Sequence, residues 1–210
     1  MSDLLPLFPL PAVVLVPGVF LPLHIFEPRY REMVADALAT DRLIGMVLLR
    51  GGWEADYEGQ PAVFSVGSLG LITHCEKLPD GCYNIVLRGI DRFRIVEEDH
   101  SRAYRRATTE PVLDCELTGD DRVRLREQRA HLEILISPSE ESGGIDPRTA
   151  AAMSDLDLIN TLSQYLDLEA IEKQALLEQR TISDRAAALV ELLEMKTLLT
   201  KYPMVSLLEH

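Results

Sequence analysis

Apolar residues crowd the first thirty positions of the chain, but prolines cut them into short pieces. The pieces are Leu4-Leu5-Pro6-Leu7-Phe8-Pro9-Leu10, then Val13-Val14-Leu15-Val16-Pro17-Gly18, then Leu21-Pro22-Leu23-His24-Ile25-Phe26. An internal proline removes a backbone donor and clashes with the preceding helical turn, so this pattern excludes a long helix. It also excludes a membrane span, which needs roughly 20 uninterrupted apolar residues. Short extended segments are predicted instead, bent at Pro9-Leu10-Pro11 and Pro17-Gly18. A helix opens at Glu27-Pro28-Arg29-Tyr30, because proline suits the first helical position and an acid suits the first turn. Tyr30, Met33, Val34, Ala37 and Leu38 then recur at helical spacing, and the helix stops near Thr40-Asp41.

Leu43 to Leu49 is a short, nearly all-apolar run and reads as a buried strand. Arg50 to Pro61 carries three glycines and three acids and reads as a polar loop holding Trp53. Phe64 to Leu78 and Cys82 to Glu97 form a hairpin across Leu78-Pro79-Asp80-Gly81, where proline fixes φ and glycine accepts a positive one. Gly89 interrupts the alternation of the second arm and predicts a bulge or sharp bend. Beyond it Phe93 and Ile95 share one face and Arg92 and Arg94 the other. Tyr104 to Leu113 is a further strand. Short strands joined by turns, with one helix, predict a closed or strongly curved sheet.

The second half changes period. Asp120-Asp121 followed by Val123, Leu125, Gln128, Leu132 and Leu135 predicts a helix with an acidic first turn. Ser137 to Gly144 is a polar break. A helix then runs from Arg148 to Tyr165, broken near Leu156. A short one is entered at Asp167, with Leu168, Ile171, Ala175 and Leu176 on one side. The last runs from Ser183 to Leu199, with Ala186, Leu189, Val190, Leu193 and Leu198 as its buried stripe and Pro203 limiting its extent. The pattern thus divides the chain into a β-rich domain over 1–117 and a helical bundle over 118–207.

Composition narrows the function classes. The formal net charge is −13 and both halves of the chain are acidic. Such a protein repels a phosphate backbone, so no nucleic-acid partner is expected. Met1-Ser2-Asp3 lacks the basic start of a secretory leader. Cys75, Cys82 and Cys115 are odd in number and widely spaced, which suits a reducing cytoplasm better than a disulfide scaffold, and with the proline-cut apolar start no membrane partner is expected. Leu208-Glu209-His210 reads as an expression-tag remnant.

Catalytic motifs are missing from the sequence. It contains no phosphate-cradling G-x-x-x-x-G-K-[ST], no dinucleotide-binding G-x-G-x-x-G, no G-x-S-x-G elbow and no H-E-x-x-H. Three side-chain groups are candidate sites. His74-Cys75 with Cys82 across the hairpin turn falls short of the four ligands of a structural zinc site, and neighbours in a strand face opposite ways, so no metal or other cofactor is expected. Arg88, Arg92, Arg94, Arg102, Arg105 and Arg106 suit an acidic ligand, or else pair with Glu97, Glu98, Asp99 and Glu110. His24, Phe26, Tyr30 and Trp53 suit a peptide-binding surface, or else a core and its rim, with Trp53 either a plug or an exposed anchor.

Four blocks in order carry a family resemblance. Leu4 to Tyr30 resembles the opening of the Lon-protease N-terminal, or LON substrate-binding, domain, with its Leu-Pro-Leu strand and Phe-Glu-Pro-Arg-Tyr helix start. Val66-Gly67 to Ile72 is similar to that family's Val-Gly strand. Pro79-Asp80-Gly81 through Gly89 to Arg92-Phe93-Arg94 resembles its hairpin and Gly-x-x-Arg-Phe signature. Glu172 to Glu178 with Asp184-Arg185 is similar to its late helices. The resemblance implies an α+β fold, a PUA-like pseudo-barrel β-domain followed by a C-terminal α-helical bundle. It implies a bacterial-type, non-catalytic polypeptide-binding module without ATPase or peptidase parts. Its partners would be unfolded or extended polypeptides, with a protease or ATPase as a further candidate partner. The expected peptide-binding residues are His24, Phe26, Tyr30, Trp53, Arg92 and Arg94. Two rival readings remain beside it: a small-molecule or metal-dependent enzyme using His24, His74 or Cys75, and an RNA-binding PUA-like domain.

Overall fold

The computed structural model describes residues 4–56, 59–136 and 147–201. Met1-Ser2-Asp3, the expected polar break from Ser137 to Gly144, the limit at Pro203 and the 208–210 remnant lie outside the described residues, as do 57–58 of the expected loop. The chain divides into two compact units. One is built from residues up to Leu113 together with Asn160–Glu178, the other from Asp114–Ile159 and from Gln179 onward.

The first unit holds six strands, β1 (Leu5–Leu10), β2 (Phe20–Ile25), β3 (Leu43–Leu48), β4 (Val66–Lys77), β5 (Tyr83–Asp99) and β6 (Arg106–Pro111), with α1 (Pro28–Leu38) between β2 and β3. The sheet order is β2-β5-β4-β3-β1-β6, and β6 also pairs with β5. Strands β5, β4, β3, β1 and β6 therefore form a hydrogen-bonded ring, with β2 added at its side. The β1–β3 pair is parallel and the others antiparallel. Seventeen residues let β5 serve two neighbours on one edge: its first part pairs with β2 and its last part with β6. A bulge at Ile90 separates these parts, since Leu69 pairs with Asp91 while Gly70 pairs with Gly89. The extra residue bends the strand and sharpens the twist that the ring needs.

Alternation explains the packing. Phe8, Ile44, Met46, Ile72, Ile85 and Leu87 meet Tyr30, Met33, Val34 and Ala37 of α1 in the main core. Leu5, Leu7, Val47, Phe93 and Ala107 form a second cluster. Val14, Leu48 and Val66 form a third with Leu177 of α5 (Ala170–Leu177). Segment 160–178, which the apolar pattern groups with the helical half, is tied to the sheet by side-chain amides. Gln164 accepts from the Val16 N–H at 2.9 Å and donates to the Val14 carbonyl at 3.1 Å. Asn160 donates to the Pro17 carbonyl at 3.1 Å and Gln174 to the Val66 carbonyl at 3.0 Å.

In the second unit α2 (Gly119–Leu135) packs on α6 (Ile182–Lys201). Thr118 and Asp121 close a capping box at the start of α2. Arg124 reaches Ser183 at 3.0 Å and Asp184 at 3.3 Å, and the buried Arg185 pairs with Asp114 at 3.1 Å. The break in the long helix falls at Met153-Ser154, between α3 (Pro147–Ala152) and α4 (Asp155–Tyr165), two residues before the expected point. Ser154 caps α4 by accepting from the Asp157 N–H at 3.1 Å. The expected stripe of α6 is buried at Ala186, Leu189 and Val190, half-buried at Leu193 and exposed at Leu198.

Candidate functional site

Strand β2 is the one strand of the ordered sheet with a single strand partner among the described residues. Leu21, Leu23 and Ile25 point inward, while Phe20, Pro22 and His24 are exposed. Its free edge is only partly blunted. Pro22, opposite Val86, has no amide donor, which is the position a strand proline tolerates. The Phe20 carbonyl accepts from Tyr165 Oη at 3.3 Å. Apolar surface flanks the edge, with Phe20 50% and Phe26 62% exposed.

The exposed face beside this edge carries a polar ladder across three strands. His24 pairs with Asn84 on β5, which pairs with Glu76 on β4. His24 Nδ1 donates to Asn84 Oδ1 at 2.8 Å, and Asn84 Nδ2 donates to Glu76 Oε2 at 3.4 Å. The imidazole also stacks on Phe26, with centroids 6.2 Å apart and planes 22° from parallel. A shallow depression of about 280 Å³ is lined by Pro22, Leu23, His24, His74, Asn84, Ile85 and Val86. At the hairpin tip the Cys82 N–H donates to Asp80 at 2.9 Å, and this bond holds the Asp80 carboxyl below its ordinary range.

The structure places the expected site residues in different settings. His24 and Phe26 come together at the β2 edge. Tyr30 belongs to the core, its ring 4.5 Å from that of Phe8 and covered by Arg29. Trp53 is half-buried in the 3-10 turn Trp53–Asp56 and lines neither the depression nor the cavity described below. Arg92 is buried and donates to the Leu177 carbonyl at 2.7 Å. Arg94, on the same strand face but further along, is half-exposed and 3.6 Å from Glu110. Arg105 pairs with Glu98 at 2.6 Å and Arg106 with Asp99 at 2.8 Å. Cys75 is half-buried and burial pushes its thiol up, whereas His74 is exposed. Among the described residues no three His, Cys, Asp or Glu side chains cluster as metal ligands.

Sequence reasoning missed two features. Phe20, Pro22 and Asn84 join His24 at the edge, and the signal available was the alternation Phe20-x-Pro22-x-His24. Arg29 and His100 join Arg102 and Arg105 around a cavity of about 200 Å³ with Tyr30 and Tyr104. No local pattern links these residues, because α1 and the segment before β6 supply them from distant parts of the chain.

The described helices include none long and apolar enough to cross a membrane. Comparison with known proteins agrees with the fold. The chain is 28% identical over 202 residues to Lon protease 2 of Myxococcus xanthus, covering 92% of this chain and 24% of that protein. It is 24% identical over 198 residues to the Lon protease of Escherichia coli, covering 90% and 24%. The chain thus spans about a quarter of the length of these curated relatives. Among solved structures, the N-terminal domain of the Mycobacterium avium complex Lon protease superposes with a TM-score of 0.73 at 17% identity, over 91% of this chain and 98% of that one. A Lon N-terminal domain protein from Xanthomonas campestris gives 0.59 at 24% identity, over 90% and 98%. The ATP-dependent protease La (LON) substrate-binding domain profile matches residues 4–195, and the chain belongs to that family.

Proposed function

We propose that this chain is a non-catalytic polypeptide-recognition module, and that the β2 edge is where an extended apolar segment docks. One observation carries the reading. Among the described residues no second strand pairs with this edge, and beside it stand Phe20 and Phe26, two large aromatic side chains at least half exposed. An added strand gains main-chain hydrogen bonds from such an edge and places alternate side chains on the flanking apolar surface. Membership in a substrate-binding family favours a protein substrate, and the absence of a phosphate loop, nucleophile elbow or zinc motif from the sequence favours recognition without chemistry. The ring closure with one parallel pair supports the PUA-like pseudo-barrel reading. A protease or ATPase partner and a cytoplasmic setting belong to the same proposal. The net charge of −13 weighs against an RNA ligand.

The test is anisotropy of a labelled, permanently unfolded polypeptide titrated with the whole chain. Saturable binding that is lost in Phe20→Asp and Phe26→Asp, both with unchanged unfolding midpoints, is expected. Equal binding by the wild type and both variants would remove the β2 edge from the reading, and no binding to any unfolded client would remove the function.

A further inference from the structure

Among the described residues this acidic chain has a cavity whose charged lining is basic. It lies in the first unit, measures about 200 Å³, and among the described residues is lined by Arg29, Arg102, Arg105 and His100 with no Asp or Glu. Pro9 and Leu49 supply apolar wall, and Tyr30 and Tyr104 also line the cavity. That volume is below the roughly 300–1,000 Å³ of sites for drug-sized ligands, so it suits a single side chain with one small polar head.

The guanidinium groups are not equivalent. Arg105 is committed: it pairs with Glu98 at 2.6 Å and donates to the Pro61 carbonyl at 2.6 Å. Arg29 pairs with Glu27 at 3.0 Å and lies over the Tyr30 ring. Arg102 is different. It is half-exposed, and its contacts with Glu32 and Asp36 are 3.6 and 3.7 Å, longer than hydrogen bonds. Asp36 is already engaged by Tyr104 Oη at 2.7 Å. Arg102 therefore retains donors that can close in a bidentate pair on a planar anion.

We infer that this cavity holds the C-terminal carboxylate of a bound polypeptide, with Arg102 receiving the carboxylate and the tyrosine-lined wall receiving an apolar last side chain. The inference rests on the polypeptide-recognition reading and adds the chemistry of the chain end. The charge balance selects a monoanion. Glu27, Glu98, Glu32 and Asp36 pair with the three arginines, so the formal balance is not positive and a polyanion finds no compensation there, whereas a monoanion needs only the directed donors of Arg102. An apolar wall beside a guanidinium is matched by a terminal residue, whereas inorganic phosphate would leave that wall empty.

The experiment compares two N-terminally labelled hexapeptides ending in leucine, one a free acid and one a C-terminal amide, against the whole chain. The free acid is expected to bind about tenfold or more tightly than the amide, as loss of a charge-assisted bond implies. Arg102→Gln should remove that difference, and Arg102→Lys should restore only part of it. Ala103→Trp, at an exposed position on the cavity lining, should weaken the acid with every charge in place. Equal binding of acid and amide, or an undiminished difference in Arg102→Gln, overturns the inference. N-acetylleucine binding as tightly as the hexapeptide acid would overturn the polypeptide source in favour of a small carboxylic acid. The unfolded-client titration of the Phe20 and Phe26 variants runs in parallel. Client binding that survives while acid and amide stay equal defeats this inference alone.

Discussion

The guanidinium of Arg92, buried on β5, donates to the main-chain carbonyl of Leu177 at the last turn of α5, 2.7 Å away. This is a charged side chain spent on a helix C-terminus, where the carbonyls lack intrahelical partners and carry the negative end of the dipole. Replacing it with the similarly long Met leaves the carbonyl without that donor. Arg92→Met is expected to cost about 2–4 kcal/mol, read as a lowered urea midpoint with an unchanged slope.

Gln164 acts as a substitute strand. Its amide both accepts from Val16 and donates to Val14, so one side chain satisfies two backbone groups of the segment between β1 and β2. Gln164→Leu keeps the volume and orphans both. A loss of about 2–3 kcal/mol is expected in chemical denaturation.

Gly89 sits where two backbone segments touch. A Cβ there would clash with the Val16 carbonyl oxygen and lie 2.9 and 3.0 Å from Val16 C and Pro17 Cα. Gly89 also exchanges hydrogen bonds with Gly18 and Val19, so neither segment can yield cheaply. Gly89→Ala is expected to destabilise by about 3 kcal/mol, measured against the same change at the unobstructed Gly119 as control.

Tyr104 gives a pH signature. Burial and the hydrogen bond to Asp36 push its phenol up to about 12, against an ordinary value of about 10. A raised value in the folded state means that the neutral phenol stabilises the fold. The contribution is complete below about pH 10 and is lost as pH rises through about 12. The stability difference between wild type and Tyr104→Phe should therefore shrink across that window. Ultraviolet titration should show one phenol ionising late in the wild type only.

Phe26 is the opposite case from Tyr30. Being 62% exposed, it can be replaced by Ser with a stability change within about 0.5 kcal/mol, while client binding falls. Tyr30→Ser removes a core ring packed on Phe8 and is expected to cost about 3–5 kcal/mol. Thermal unfolding of the pair separates a surface role from a core role within one aromatic group.

Much of the first unit was legible because its signals are local. The hairpin between β4 and β5 follows from Pro79-Asp80-Gly81, and Gly81 takes φ 83° in that turn. Helix α1 follows from Pro28 and the spacing of Tyr30, Met33, Val34 and Ala37, all four buried. The interruption expected at Gly89 lies beside the bulge at Ile90. The same alternation puts Arg92 on the face opposite Phe93 but says nothing of what meets it there. Its partner is the Leu177 carbonyl, and a partner supplied 85 residues later leaves no local trace.

The sequence by itself determined which segments are strands and helices, where they turn, and the family to which they belong, since all of these rest on periodicity, turn residues and short motifs. Tertiary structure decided which strand stays at the edge, that 160–178 returns to the sheet, and that Arg29, Arg102, Arg105 and His100 share one cavity. The physical reason is range. Periodicity records only whether a side chain meets water or core, whereas an edge, a cover or a cavity is defined by partners brought from far along the chain.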